Sequence, residues 1–126
     1  AEDVAQALSQ VRVDPFSLAI RGVGTFERKG RTTALWSKVE ASEPLNILQR
    51  RTERACRAAG LAPETRKFVP HVTIARTNAS TAPIGGWLAK HARLTLPEWR
   101  VDKFHLFESR LDAHGAHYEV VVDYPL

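Results

Sequence analysis

Methionine is absent from these 126 residues, and cysteine occurs once, at Cys56. A single thiol excludes an intramolecular disulfide framework and any multi-cysteine zinc site. No apolar run approaches the roughly 20 residues of a membrane-spanning helix, and no secretory signal opens the chain. No membrane partner is expected, and a reducing, cytoplasmic setting is. Lysine is scarce as well: 13 of the 18 basic residues are arginine, against 14 acidic residues, for a formal net charge of +4. The planar guanidinium fork suits phosphate, which admits nucleotides and RNA as ligands; a GC-rich coding bias would give the same composition. No linker or low-complexity stretch divides the chain, and its length suits one domain over residues 1–126 with a sizeable core. Beginning "AEDVAQAL" without an initiator, the chain is expected to be a processed or truncated product, or part of a longer one.

What is there alternates between two periods. "AEDVAQALSQV" spaces Val4, Ala7, Leu8 and Val11 as an amphipathic helix, with Glu2 and Asp3 at its positive end. "PFSLAIRGVGTF" alternates Phe16, Leu18 and Ile20 against polar or small residues, a half-buried strand in which Gly22 and Gly24 predict a bulge or a close backbone approach. A turn at Gly30 and a strand around Leu35 to Val39 complete a hairpin. A long helix follows, with Ser42 as N-cap, Glu43 and Pro44 in the first turn and Gly60 at the C-terminal cap. Its apolar stripe is Leu45, Leu48, Thr52, Ala55, Cys56 and Ala59. Arg50, Arg51, Arg54 and Arg57 fall largely on the other side and are read first as a solvated face, with a binding patch as the alternative. "TNASTAPIGG" is a mobile loop at the rim, followed by a short helix at Trp87 to His91. "WRVDKFHLFESRL" and "HYEVVVDY" predict two strands closed by the turn "DAHG". The order α-β-β-α-β-α-β-β implies an α+β fold with mainly antiparallel pairing.

The run that carries chemistry is "FVPHVTIARTN", Phe68 to Asn78. Read as a central strand, it puts His71, Thr73 and Ala75 on one face and Val72 and Ile74 on the other, the latter two buried against a helical layer. Imidazole serves as base or acid near neutral pH, and a neighbouring hydroxyl can donate to a phosphate oxygen. Pro70 removes one backbone donor beside them. A lone strand histidine also has an ordinary structural reading. Further along, His105 shares a strand face with Phe107, and these two are the positions from which a base would be contacted. Core packing is the alternative for each. Trp36, Trp87 and Trp99 are read as packing residues.

"PHVTIAR" resembles the second signature of the 2H phosphoesterase superfamily, and most closely that of the RNA 2′,3′-cyclic phosphodiesterases, also called 2′-5′ RNA ligases (LigT-like). The likeness extends over the whole chain, from "FSLAIRGVGTF" and "TTALWSKV" to "FHLFESRLDAHGAHYEVV". It implies concave, bilobal antiparallel sheets with helices on the outer faces, and His71 and Thr73 as catalytic residues. Thr73 and Arg76 would hold substrate phosphate. It also implies metal-free hydrolysis of 2′,3′-cyclic phosphate ends to 2′-phosphates, with reversible 2′-5′ ligation as a further activity, by a monomer without cofactor. RNA with cyclic phosphate ends or cyclic nucleotides would be the substrates. One feature strains strand geometry and one departs from the family pattern. Strict alternation sends Arg76 to the face opposite His71, so it reaches the site only if the strand ends or bulges. Only one His-x-Thr is present: His91, His105, His114 and His117 are followed at plus two by Arg93, Phe107, Ala116 and Glu119. The first motif is therefore expected upstream of Ala1. A non-catalytic RNA- or nucleotide-binding module retaining one half-site is the alternative.

Overall fold

A computed structural model describes residues 2–126. The elements are α1 (Glu2–Leu8), β1 (Phe16–Arg28), β2 (Arg31–Val39), α2 (Glu43–Ala58), β3 (His71–Arg76), α3 (Gly85–His91), β4 (Thr95–Val101), β5 (Lys103–Asp112) and β6 (Gly115–Pro125). They form a four-stranded sheet of order β3-β2-β1-β4 and a two-stranded sheet β5-β6, an α+β architecture whose β1–β2, β2–β3 and β5–β6 pairings are all antiparallel. The chain divides into two compact units. Ser17–Ala41 and Lys67–Trp99 make a four-stranded unit; Ser42–Arg66 and Arg100–Leu126, with the N-terminal residues through Phe16, make a helix–hairpin unit. Among the described residues no helix is long and apolar enough to cross a membrane.

In the four-stranded unit, β1 and β2 are joined by Lys29 and Gly30, both at positive φ (53° and 76°), as a two-residue type I′ hairpin turn demands. The two glycines of "GVG" act differently. Gly22, at φ 86°, lies where β1 slips register between Ile20 and Val23, and its N–H donates to the Leu94 carbonyl at 2.7 Å. Gly24 lies under the Trp36 indole, where a Cβ would fall 2.2 Å from a ring carbon. Ala19, Ile20, Ala34, Leu35, Trp36 and Val39 are the buried apolar residues here.

The helix–hairpin unit is built from strong local signals. The Ser42 hydroxyl accepts from the Leu45 N–H at 3.3 Å and caps α2, as its position predicts. At the other end Gly60 takes φ 99°, its N–H donates to Arg57 O (3.0 Å) and Leu61 N–H donates to Cys56 O (3.1 Å), which is a Schellman cap. Leu8, Val11, Phe16, Leu48 and Tyr124 are buried, and the Tyr124 hydroxyl donates to the Ala5 carbonyl at 3.0 Å, tying the last strand to α1. Burial pushes the Cys56 thiol up, with Glu53 adding to it. Burial likewise raises the Tyr124 phenol, with Cys56 as the lesser cause. The β5–β6 turn closes at Asp112 and Gly115, where the "DAHG" signal put it.

Three sequence expectations are corrected. The histidine strand is an edge strand, not a central one, and begins at His71 rather than Phe68. Pro70, just before it, has no N–H to extend the ladder, which an edge strand or a strand start accommodates. Val72 and Ile74 are not buried: they are 50% and 52% exposed. The run "WRVDKFHLFESRL" is two strands, β4 and β5, broken at Asp102, and they join different sheets. The apolar positions change phase there, from Trp99 and Val101 to Phe104 and Leu106, but a phase change does not tell a bulge from a change of partner, because either sheet satisfies each half.

Candidate functional site

The face of β2 and β3 that carries His71 is defined by cross-strand pairs, whose side chains point the same way. Lys38 stands opposite His71 and Trp36 opposite Thr73. The register then slips by one. Leu35 pairs with Ala75 and Ala34 with Arg76, leaving Ile74 as the unpaired extra residue of a β-bulge. Ala34, Trp36 and Lys38 alternate along β2 and share one face, so Arg76 emerges on the face of His71 and Thr73. Strict alternation would have sent it away; the bulge at Ile74 returns it. On β1, Phe26 opposite Ala34 and Gly24 opposite Trp36 continue the same face.

His71 is exposed but held. Its Nδ1 lies 2.6 Å from the Val69 carbonyl oxygen, so the neutral ring donates there and keeps Nε2 free. Phe26 meets the imidazole edge-on, with centroids 4.8 Å apart at 87°, and Trp36 stands 5.8 Å away. Phe26 and Trp36 contact one another at 5.2 Å. Trp36 is buried, and its Nε1 has no hydrogen-bond partner among the described residues. Thr73, Arg76 and Lys38 are exposed, and neither Arg76 nor Lys38 is ion-paired among the described residues. The face therefore offers one imidazole, one hydroxyl and two unneutralised cations, a set suited to a small phosphorylated ligand. Just beyond Arg76, an open depression of about 380 Å³ is bordered by Arg31, Thr77, Asn78 and Ile84.

Lys38, Phe26 and Trp36 were not singled out for the site by sequence. The hairpin turn at Lys29–Gly30 sets Arg28 opposite Arg31 and Glu27 opposite Thr32, and continued without a break it would put Gly24 opposite Leu35. The register slips between Glu27 and Phe26, and that slip brings Trp36 over Gly24. The approach of Lys38 to His71 depends on β3 docking and had no local signal.

His105 and Phe107 belong to the helix–hairpin unit, whereas His71, Thr73 and Arg76 belong to the four-stranded one. His105 Nδ1 is 2.5 Å from Asp123 Oδ1, its cross-strand partner, and its ring lies 5.7 Å from Phe107 on the same face. Phe107 is 51% exposed, and its partner Val120 is also largely open, so core packing does not account for this aromatic. Among the described residues no group of three histidine, cysteine or acidic side chains converges as metal ligands.

Residues 1–113 match the family model of the 2′-5′ RNA ligase superfamily, a span that includes all five of these positions. The chain belongs to that superfamily. Among curated members, the RNA 2′,3′-cyclic phosphodiesterase of Geobacillus stearothermophilus is 30% identical over 122 residues, 97% of this chain and 38% of that protein. That of Aquifex aeolicus is 32% identical over 115 residues, 89% of this chain and 61% of its own length. The chain thus spans about two fifths to three fifths of these two relatives. Among solved structures of like fold, a Thermus thermophilus protein superposes with TM-score 0.69 at 27% identity, covering 98% of this chain and 68% of that one. E. coli LigT complexed with 3′-AMP superposes with TM-score 0.72 at 17% identity, covering 99% and 67%, a likeness of fold. The α+β class with antiparallel sheets and the superfamily resemblance of "PHVTIAR" both hold.

Proposed function

We propose that this chain contributes one half-site of an RNA 2′,3′-cyclic phosphodiesterase. The observation that carries it is the fixed His71 ring, Nδ1 engaged by Val69 and Nε2 free, on a face shared with Thr73 and, through the bulge, Arg76. The function borne by the relatives' names is in keeping with that chemistry.

Hydrolysis of the cyclic ester is an in-line displacement. Water attacks phosphorus, the bond to the ribose 3′-oxygen breaks, and the 2′-phosphate remains. One group takes the proton from water and another gives a proton to the leaving oxygen. His71 Nε2 fills one of these roles. Arg76, Lys38 and the Thr73 hydroxyl are proposed to hold the non-bridging oxygens as charge shifts onto them. The second proton-transfer group is assigned to another His-x-Thr in a further part of the protein, since no other histidine of this chain stands in one. With an RNA 5′-hydroxyl in place of water, the same displacement forms a 2′-5′ linkage, and its reversal regenerates the cyclic phosphate. Phe107 and His105 remain proposed contacts for a base, supported by the exposure of Phe107.

Two measurements test the proposal. Phosphate titrated into the chain should move the His71 ring signals, and less so at high salt; silent signals at millimolar phosphate remove the site. In the complete protein, His71→Ala should lower turnover of cyclic-phosphate-ended RNA about 100- to 10,000-fold while changing KM less. Phosphate binding without turnover by the complete protein would make it a non-catalytic binding module instead.

A further inference from the structure

The arginines of α2 do not form one uniform solvated face. Arg50 pairs with Glu43 at 3.5 Å and Arg57 with Glu53 at 3.6 Å. Arg51 and Arg54 have no carboxylate partner among the described residues, and these two border an open groove of about 560 Å³ between α1 and α2. Arg12, just past the end of α1, is the third cation on its edge. Two of the three are pre-positioned by backbone: Arg12 Nη1 donates to the Ser9 carbonyl at 2.7 Å, and Arg51 Nη1 donates to the carbonyl of Arg12. Holding an arginine through a carbonyl fixes its place without cancelling its charge, and leaves its other N–H groups free.

The floor of the groove is small and apolar, with Ala7, Val11 and Ala55. It has no deep pocket for a large side chain, the feature by which protein partners anchor. Its recognition must come from the three guanidinium groups on its rim. We propose that this groove is a binding site for the phosphodiester backbone of single-stranded RNA, separate from the His71 face and independent of any cyclic phosphate. The choice of RNA over an acidic peptide rests on the superfamily function proposed above. The charge pattern itself does not. Arginine forks take phosphate oxygens in pairs, and a row of unneutralised cations tracks a repeating anion whatever its sequence.

The test is binding of the chain to a short single-stranded RNA ending in a 3′-hydroxyl, followed by anisotropy from about 50 to about 200 mM salt. Arg51→Gln with Arg54→Gln should weaken binding about tenfold and flatten the slope of log K against log salt by about 1.4, roughly 0.7 for each single-strand phosphate deprived of its guanidinium. Arg54→Gln alone, whose side chain makes no intramolecular hydrogen bond among the described residues, should give half that change in slope with an unaltered circular dichroism spectrum. Arg50→Gln with Arg57→Gln, which removes equal charge from the paired positions, should leave the slope alone. Equal losses from both double variants would reduce the effect to net charge and overturn the site. So would binding of a poly-glutamate peptide as tight as that of RNA, which would assign the groove to an acidic protein. The RNA carries no cyclic phosphate and the readout is binding rather than turnover, so failure here and failure of the phosphodiesterase proposal are read separately.

Discussion

A single methyl group separates Gly24 from alanine, and there is no room for it. The added Cβ would sit 2.2 Å from one carbon of the Trp36 ring and 2.5 Å and 2.6 Å from two others. The indole is buried and touches both Phe26 and His71, so it cannot shift without disturbing the imidazole. Gly24→Ala is expected to cost about 1–3 kcal/mol in stability, the range for overpacking. In the complete protein it should lower kcat more than it raises KM. Adding Trp36→Phe, a smaller ring, should recover part of both losses; wild-type turnover by Gly24→Ala alone would show that His71 does not depend on this stack. Lys38 tests the other side of the ring. As an exposed cation opposite His71, its replacement by glutamine should weaken phosphate binding about two- to fivefold, with arginine restoring it.

Strand β3 shows what an element adds that its residues do not. Ile74 is the extra residue of the bulge and is half exposed, so deleting it should regularise the strand at little cost. The deletion leaves Arg76 opposite Ala34, and phosphate affinity is expected to stay within about twofold of wild type. An alanine inserted between Ala75 and Arg76 changes the parity instead, turns the guanidinium away, and should bind phosphate as weakly as Arg76→Ala. Equal affinity in the insertion and the wild type would mean that Arg76 takes no part. The bulge was not legible in the sequence, nor was the edge position of β3 or the change of partner at Asp102. Each is decided by which strand pairs with which, and "FVPHVTIAR" supports either a central or an edge placement; Pro70 was the one available hint of an edge. What was legible rests on local chemistry. Ser42 and Gly60 bound α2 because they satisfy its terminal N–H and carbonyl groups, and Gly30 marks a hairpin turn because it tolerates positive φ. The superfamily was legible for the same reason: His71, Thr73 and Arg76 fall within six consecutive residues. Lys38, Phe26 and Trp36 reach that site from other strands.

The molecule as a whole interleaves its two units, the chain passing from the N-terminal residues into the sheet, back to α2, into the sheet again and out to the final hairpin. Composition supplies a separate probe for each. Trp36, Trp87 and Trp99 all lie in the four-stranded unit, and Tyr118 and Tyr124 both lie in the helix–hairpin unit. The two groups that burial holds in their neutral forms, Cys56 and Tyr124, are also in the helix–hairpin unit. Both have folded values raised above the ordinary 9.0 and 10.0, so folding favours the protonated thiol and phenol. Their contribution to stability is complete below those ordinary values and is lost as pH rises through the folded ones. The urea midpoint read by helical circular dichroism should therefore be unaffected by these two groups up to about pH 9 and fall above it. Cys56→Ser, which cannot ionise in that range, should make the fall shallower. Tyr124→Phe gives up the hydrogen bond to the Ala5 carbonyl, so it should lower the midpoint at neutral pH by about 1 kcal/mol in stability, yet also flatten the alkaline decline. Tryptophan emission, which reports only the four-stranded unit, should not respond directly to either substitution at neutral pH. An alkaline decline of wild-type steepness in both variants would show that these two groups do not set it.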